Sequence, residues 1–209
     1  MPSPITHIVL AEKVFAKHFS QKNKPEFFIG TSFPDIRYFD NLDREKTHLP
    51  GLSLAEIKKE DSFMAGLKFH SLVDDLHNNF FAFRDNPLFL EPIHITATSL
   101  KFFEDELFYS RLSNWQEIAD YFKQTVEEEN NFGIEKKDII TWHEALRAYF
   151  TEASSFKSRG KFLKKIEFSD ELAKQIEAFL VKMREASQVE KVVAAFYDEV
   201  ERLIEGMAG

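Results

Sequence analysis

Three residues of one predicted helix have side chains that are common metal ligands. The stretch 63–81, FMAGLKFHSLVDDLHNNFF, has apolar residues at helical spacing, and Gly66 is its only helix breaker. At about 100° per residue, His70, Asp74 and His77 fall within roughly 60° of one another on this helix. The same face is apolar, where a carboxylate without a partner is costly. A bound metal ion would satisfy these groups, and so would a structural hydrogen bond between histidine and aspartate.

Three further candidate ligands come earlier in the chain. His7 is at the start of a predicted helix, Asp35 follows a proline in a predicted turn, and His48 is in a predicted loop. Imidazole and carboxylate donors together suit zinc, manganese or iron. The chain has no cysteine, which excludes disulfides, zinc fingers and thiol catalysis. A carboxylate one turn after a histidine can bridge two ions, and a two-metal site can clamp a phosphoryl group.

The order of these residues resembles the zinc-dependent phospholipase C family, which is related to the S1/P1-type nucleases. The resemblance covers about residues 1–81 and rests on four short motifs. They are Thr6-His7, Phe28-Ile-Gly30 followed by Pro34-Asp35-Ile36, Thr47-His48, and Gly66-x-x-x-His70-x-x-x-Asp74. It implies an all-α fold with metal ions between helices.

The resemblance also implies the role of each matching residue. His7, Asp35, His48, His70 and Asp74 would be ligands of zinc or another divalent transition metal, with Asp74 bridging. Asp35 would also lie beside the attacking water and act as the general base. The implied activity is phosphoester hydrolysis by metal-activated water, on a small-molecule or lipid substrate.

The sequence departs from the family's pattern at its third metal site. The secreted relatives begin with a tryptophan whose amino group binds metal, and they carry a later histidine and a His-x-x-x-Glu turn. His77 and His94 are the nearest candidates for these ligands, but Thr98 follows His94 at the spacing where a carboxylate is needed. His143 is followed by Arg147 at the same spacing. We therefore expect one or two ions, with His77 and His94 as additional candidate ligands.

The elements that must position these residues are predicted to be helices. Helical periodicity recurs along the chain, and no alternating strand pattern or internal repeat is visible. The 23 phenylalanines favour thick packing between helices. We predict one all-α domain of seven or eight helices over 1–209, with a metal-site core at 1–112 and a helical part at 113–209. Two segments are predicted to be irregular, a charged loop at 37–58 and a basic connector at 156–168.

Charge and hydropathy limit the partners. The net charge of −8 argues against a nucleic-acid backbone as the standing partner. No stretch approaches the ~20 apolar residues of a transmembrane helix. The first 14 residues lack the basic and apolar regions of a signal peptide, which predicts a soluble cytoplasmic protein. The sequence does not indicate an oligomeric state.

Three other functional classes stay open beside the hydrolase. A metal site that only stabilises the fold is the main alternative, since structural sites are closed whereas catalytic sites keep an open position. An HD-type phosphohydrolase is also all-α, but it needs an adjacent His-Asp pair, and the sequence contains none. A helical interaction module without metal would instead expose patches of its aromatic residues.

Overall fold

Apolar residues at helical spacing form helices along the whole described chain. The computed structural model describes residues 3–38, 42–82, 93–152, 155–166 and 168–206, without the side chains of Tyr38, Ile93 and His94. The helices are α1 Pro4–His18, α2 Lys24–Ser32, α3 Arg44–Thr47, α4 Leu54–Ile57, α5 Ser62–Ala82, α6 Ile93–Phe108, α7 Trp115–Tyr121, α8 Lys136–Thr151, α9 Phe156–Lys165, α10 Asp170–Glu185 and α11 Ser187–Gly206. Short 3-10 segments occupy Phe33–Tyr38, Tyr109–Arg111 and Glu127–Phe132. Within these ranges there is no strand, so the predicted all-α class is confirmed.

Two segments that were predicted to be irregular contain helices. The charged segment 37–58 includes α3 and α4, and α4 begins with a capping box between Ser53 and Glu56. The basic segment 156–168 contains α9, so the prediction of a connector is wrong. Helix α9 packs against α8 and buries Phe162 and Leu163, while its lysines lie outside. The described chain therefore has nine helices of seven or more residues rather than seven or eight.

Helices α2 and α5 cross with their backbones in close contact beside the predicted metal ligands. A Cβ atom on Gly30 would lie 2.0 Å from the carbonyl oxygen of Phe63, and one on Gly66 would lie 2.0 Å from that of Phe27. Only glycine fits at both positions. Gly30 lies inside α2. The crossing brings the C-terminal end of α2 against the middle of α5.

The N-terminal and C-terminal helices share one hydrophobic core. Helix α10 packs on α6, and α11 packs on α5 and α1. Aromatic rings fill the spaces, as where Phe27 lies 4.6 Å from Phe19 and 5.6 Å from Phe69 between ring centroids. The predicted parts 1–112 and 113–209 are thus joined by packing.

The longest helices are amphipathic. Helix α11 buries Val193, Phe196 and Val200 at helical spacing and carries charged residues on its other face. None of the helices in the described ranges combines the length and the apolar character that crossing a membrane requires.

Candidate metal centre

Helix α5 supplies the two central residues of the site. His70 and Asp74 lie one turn apart, and both are almost completely buried. The His70 Nδ1 atom is 2.8 Å from the carbonyl oxygen of Thr31 at the end of α2. Because a carbonyl only accepts, Nδ1 carries a proton, and this hydrogen bond directs Nε2 towards Asp74. Nε2 lies 3.8 Å from Asp74 Oδ2, and a backbone partner on the other nitrogen is typical of metal-binding histidines.

Helix α1 brings His7 to the same carboxylate. His7 Nε2 lies 3.4 Å from Asp74 Oδ1, and its ring stacks on the His70 ring with centroids 3.8 Å apart. The preceding residue fixes this first turn of α1, since the Thr6 backbone N–H and hydroxyl donate to Asp105 Oδ1 at 2.8 and 2.9 Å. Asp105 is fully buried on α6, so it anchors α1 beside the site.

His48 and Asp35 come from short segments that pack on α5. His48 Nε2 lies 3.6 Å from Asp74 Oδ2, and its Nδ1 is hydrogen-bonded to Thr47 Oγ1 at 3.0 Å. Asp35 lies in the 3-10 segment after α2 and is 6% exposed. One ligand atom each from Asp35, His48 and His70 lie within 4.8 Å of one another.

Five of the predicted ligands therefore form one cluster. His7, His70 and Asp74 make one group with ligand atoms within 4.8 Å, and Asp35, His48 and His70 make an overlapping group. All five side chains are buried. These groups could hold a metal ion between the helices.

Several buried polar atoms of the cluster have no hydrogen-bond partner, as expected where a metal ion binds. His7 Nε2, His48 Nε2 and Asp74 Oδ1 are buried and have no hydrogen-bond partner. A buried polar atom without a partner costs about 1–3 kcal/mol. The two imidazole nitrogens come from different elements, and each lies beside a different oxygen of the Asp74 carboxylate. Cations bound at this carboxylate would satisfy them.

The protonation of the cluster also suits metal binding. Burial lowers the pKa of His7 to about 4, with a further contribution from His70. Burial likewise lowers the pKa of His48 to about 3. For Asp74, burial acts to raise the pKa, but the nearby His70 and His7 outweigh it and lower the pKa overall. Near neutral pH, His7 and His48 are neutral donors beside an ionised carboxylate.

The other candidate histidines lie elsewhere. His77 is hydrogen-bonded through Nε2 to Glu104 Oε1 at 2.7 Å, and it belongs to none of the ligand groups. His143 forms a similar bond with Glu129 Oε1 at 2.7 Å. The predicted ligand His94 lies outside the described side chains. The structure thus brings five of the seven predicted ligands together and gives His77 a different partner.

Sequence reasoning missed a cation beside the cluster. The guanidinium of Arg44, on α3, lies 3.4 Å from Asp74 Oδ2, and its side chain is 48% exposed. It lines a pocket of about 160 Å³ together with His48, Ser71 and Asp74. The pocket is a route from solvent to the cluster. In the sequence this arginine is one of many charges in 37–58, and nothing distinguishes it there.

A second, narrower pocket reaches Asp35. It has a volume of about 50 Å³, and its walls include Lys101, Phe102, Trp142 and Phe162. Asp35 therefore lies at the boundary between the buried cluster and an aromatic pocket. A carboxylate in this position can act both as a ligand and as a base towards a molecule in the pocket.

Comparison of the chain with protein-family models, with curated proteins and with solved structures found no match. The donor atoms of the site indicate its chemistry. Three imidazoles and two carboxylates, reached by pockets from the Asp74 and Asp35 sides, form a donor set of the kind that zinc and similar ions prefer.

Proposed function

We propose that the protein is a metal-dependent phosphoester hydrolase of the phospholipase C-like type, with one or two zinc ions as its cofactor. The observation that carries the proposal is that the buried, unpartnered Nε2 atoms of His7 and His48 lie beside the two oxygens of the buried Asp74 carboxylate. Together with Asp35 and His70, these are the five residues that the resemblance to the zinc-dependent phospholipase C family implies as ligands. That agreement supports membership of the family as part of the proposal.

Each residue has a role in this proposal. His7, His48 and His70 would hold the metal through imidazole nitrogens, and Asp74 would hold it through its carboxylate, whose two oxygens have different neighbours. A bound divalent ion supplies positive charge to a phosphoryl oxygen and lowers the pKa of water. Asp35, facing the aromatic pocket, accepts the proton of the attacking water.

The charge of the protein indicates how a phosphoester would be attracted. The net charge of −8 gives no general attraction for an anion. Positive charge must therefore be local, and the half-exposed Arg44 at the entrance beside Asp74 supplies part of it. A small-molecule or lipid phosphoester fits this arrangement better than a long nucleic acid.

The experiment is elemental analysis of the purified protein combined with hydrolysis of a nitrophenyl phosphodiester. We expect at least one zinc ion per chain and slow hydrolysis that chelation removes. Asp35→Asn should abolish hydrolysis, whereas Asp43→Asn, the same change at a side chain that is 78% exposed, should leave the rate unchanged. If Asp35→Asn also loses metal, Asp35 is a ligand; if metal stays, it acts as the base.

A structural metal site is the second candidate, and the burial of all five ligands favours it. It predicts that chelation lowers the melting temperature and that the metal-loaded protein hydrolyses no ester. A broad panel of phosphomonoesters and diesters distinguishes the two. If the fully metal-loaded protein hydrolyses no ester of the panel, the metal site only stabilises the fold.

A further inference from the structure

A second group of candidate ligands lies at the opposite end of α1. His18 is the last residue of this helix, and Glu201 and Glu205 lie one turn apart on α11. Their ligand atoms are all within 4.8 Å of one another. Eleven residues of helix separate His18 from His7, which is about 17 Å. The group is therefore separate from the candidate metal centre.

The histidine of this group is buried and unpartnered. The His18 side chain is 6% exposed, and its Nε2 atom lies 3.5 Å from Glu205 Oε1 without a hydrogen-bond partner. Burial lowers the pKa of His18, and the positive charges of Lys58 and Lys17 act in the same direction. Glu205 and Glu201 act in the opposite direction, but the pKa stays below its usual value. The Nε2 atom of His18 faces the Glu205 carboxylate.

The two carboxylates already hold a cation from the chain itself. The Lys17 ammonium lies 2.5 Å from Glu201 Oε1 and 2.7 Å from Glu205 Oε1. An ammonium has only donors, so it marks a position that suits positive charge. The Lys17 side chain is 55% exposed, and Glu205 is 44% exposed. The lysine can therefore move into solvent, and an ion can enter without unfolding the helices.

We propose that His18, Glu201 and Glu205 form a peripheral binding site for a divalent transition metal such as zinc, which replaces the Lys17 ammonium. Zinc binds nitrogen and oxygen at about 2.0–2.2 Å, which puts neighbouring ligands of a tetrahedral ion about 3.3 Å apart. The 3.5 Å between His18 Nε2 and Glu205 Oε1 is close to that separation. The ion uses the lone pair that the ammonium leaves unused.

The site joins two helices that are far apart in the sequence. His18 belongs to α1, which also carries His7, and both glutamates belong to α11. An ion that binds the folded protein but not the unfolded chain stabilises the fold. Peripheral zinc therefore strengthens the packing of α1 against α11, independently of the proposed hydrolase activity.

The test is a count of zinc ions bound per full-length chain, measured by competition with a chromogenic chelator. We expect the wild type to bind one more ion than the His18→Ala variant. Lys17→Ala removes the competing ammonium and should bind that additional ion at least several-fold more tightly than the wild type. Glu201→Gln, at a side chain that is 32% exposed, should lose the same ion and serves where His18→Ala does not fold.

Two results would overturn the proposal. The first is an equal number of ions in the wild type, His18→Ala and Glu201→Gln. The second is an affinity in Lys17→Ala that is no tighter than that of the wild type. Asp74→Asn distinguishes the peripheral site from the candidate metal centre. This variant should lose the central ion and keep the peripheral ion. The two sites can thus fail independently.

Discussion

Two buried histidines on α5, His70 and His77, lie two turns apart and have different surroundings. His77 has one carboxylate partner, Glu104, at a hydrogen-bonding distance of 2.7 Å. The His70 Nε2 atom shares one carboxylate, Asp74, with two other imidazoles at distances of 3.4 to 3.8 Å. These distances exceed those of ordinary hydrogen bonds. The first arrangement is a pair closed by one hydrogen bond, with Glu104 Oε2 left unpartnered, and the second is a cluster of three imidazoles around one carboxylate.

The difference shows how a structural histidine can be told from a candidate ligand. Burial raises the pKa of Glu104 to about 8, and burial lowers the pKa of His77 well below its usual value. Near neutral pH, Glu104 therefore keeps its proton and His77 is neutral. The pair carries no net charge. Around Asp74, by contrast, three imidazole nitrogens lie beside one carboxylate. This cluster belongs to the ligand groups that could hold a cation, and the pair does not.

The largest expected effect on metal binding separates the two arrangements directly. Asp74→Asn removes the carboxylate beside which three imidazoles lie, and we expect zinc affinity to fall by at least about 100-fold. Mutation of a residue that only orients a metal ligand typically costs about 10- to 100-fold in affinity, and loss of a ligand should cost more. His77→Ala should change it by less than about 10-fold, because His77 contacts Glu104 instead. Competitive zinc titration of both variants measures this. Equal losses, or a larger loss in His77→Ala, would contradict the distinction.

The sequence predicts which residues share a face of α5 but not which of them pair with other helices. Helical periodicity placed His70, Asp74 and His77 on one apolar face, and all three are buried on α5. What separates His77 from the cluster is Glu104, which lies 27 residues further along the chain on α6. Spacing within one helix carries no information about a partner on another helix, so the face was predictable and the pairing was not.

Local patterns failed for a related reason in two other places. The charged segment 37–58 was predicted to be a loop, but α3 and α4 within it pack on α5, which is a tertiary contact. The basic segment that became α9 has few apolar residues, and burial of Phe162 and Leu163 against α8 is sufficient to keep it helical. In both cases packing decided the structure.

An intermediate effect on metal binding should come from the α2–α5 crossing. Gly66→Ala places a methyl group 2.0 Å from the Phe27 carbonyl oxygen, so the helices must move apart. We expect a loss of about 1–3 kcal/mol in the free energy of unfolding. Zinc affinity should also fall, because the carbonyl of Thr31 that holds His70 Nδ1 moves with α2. Urea denaturation and zinc titration measure the two effects.

Gly160→Ala is the matched control for this prediction. Gly160 is exposed inside α9, and a Cβ atom there would meet nothing within 4 Å. The same substitution should stabilise the protein by about 0.5–1 kcal/mol, since alanine favours a helix over glycine. Zinc affinity should not change. A Gly66→Ala variant as stable as the wild type would show that the crossing does not hold the site.

The smallest effect on metal binding is expected for Glu104→Gln, which tests the closed pair. Glutamine keeps an N–H donor towards His77 Nε2, so zinc affinity should equal that of the wild type. Stability should instead become less dependent on pH. An unfolded glutamate releases its proton near pH 4.3, whereas folded Glu104 keeps it until about pH 8. Folding of the wild type therefore takes up a proton between these values, and stability is lost as the pH rises through them.

Glutamine cannot ionise, so the variant avoids that loss. Relative to the wild type, Glu104→Gln should gain stability steadily between pH 5 and pH 8 in urea denaturation of the metal-loaded protein. Any change in the protonation of His77 occurs in both proteins and cancels in the difference. Glu144→Gln, at an exposed position on α8, is the control and should show no such trend. A constant difference between Glu104→Gln and the wild type would mean that Glu104 is ionised in the fold, and His77 Nε2 would then be the donor of the hydrogen bond.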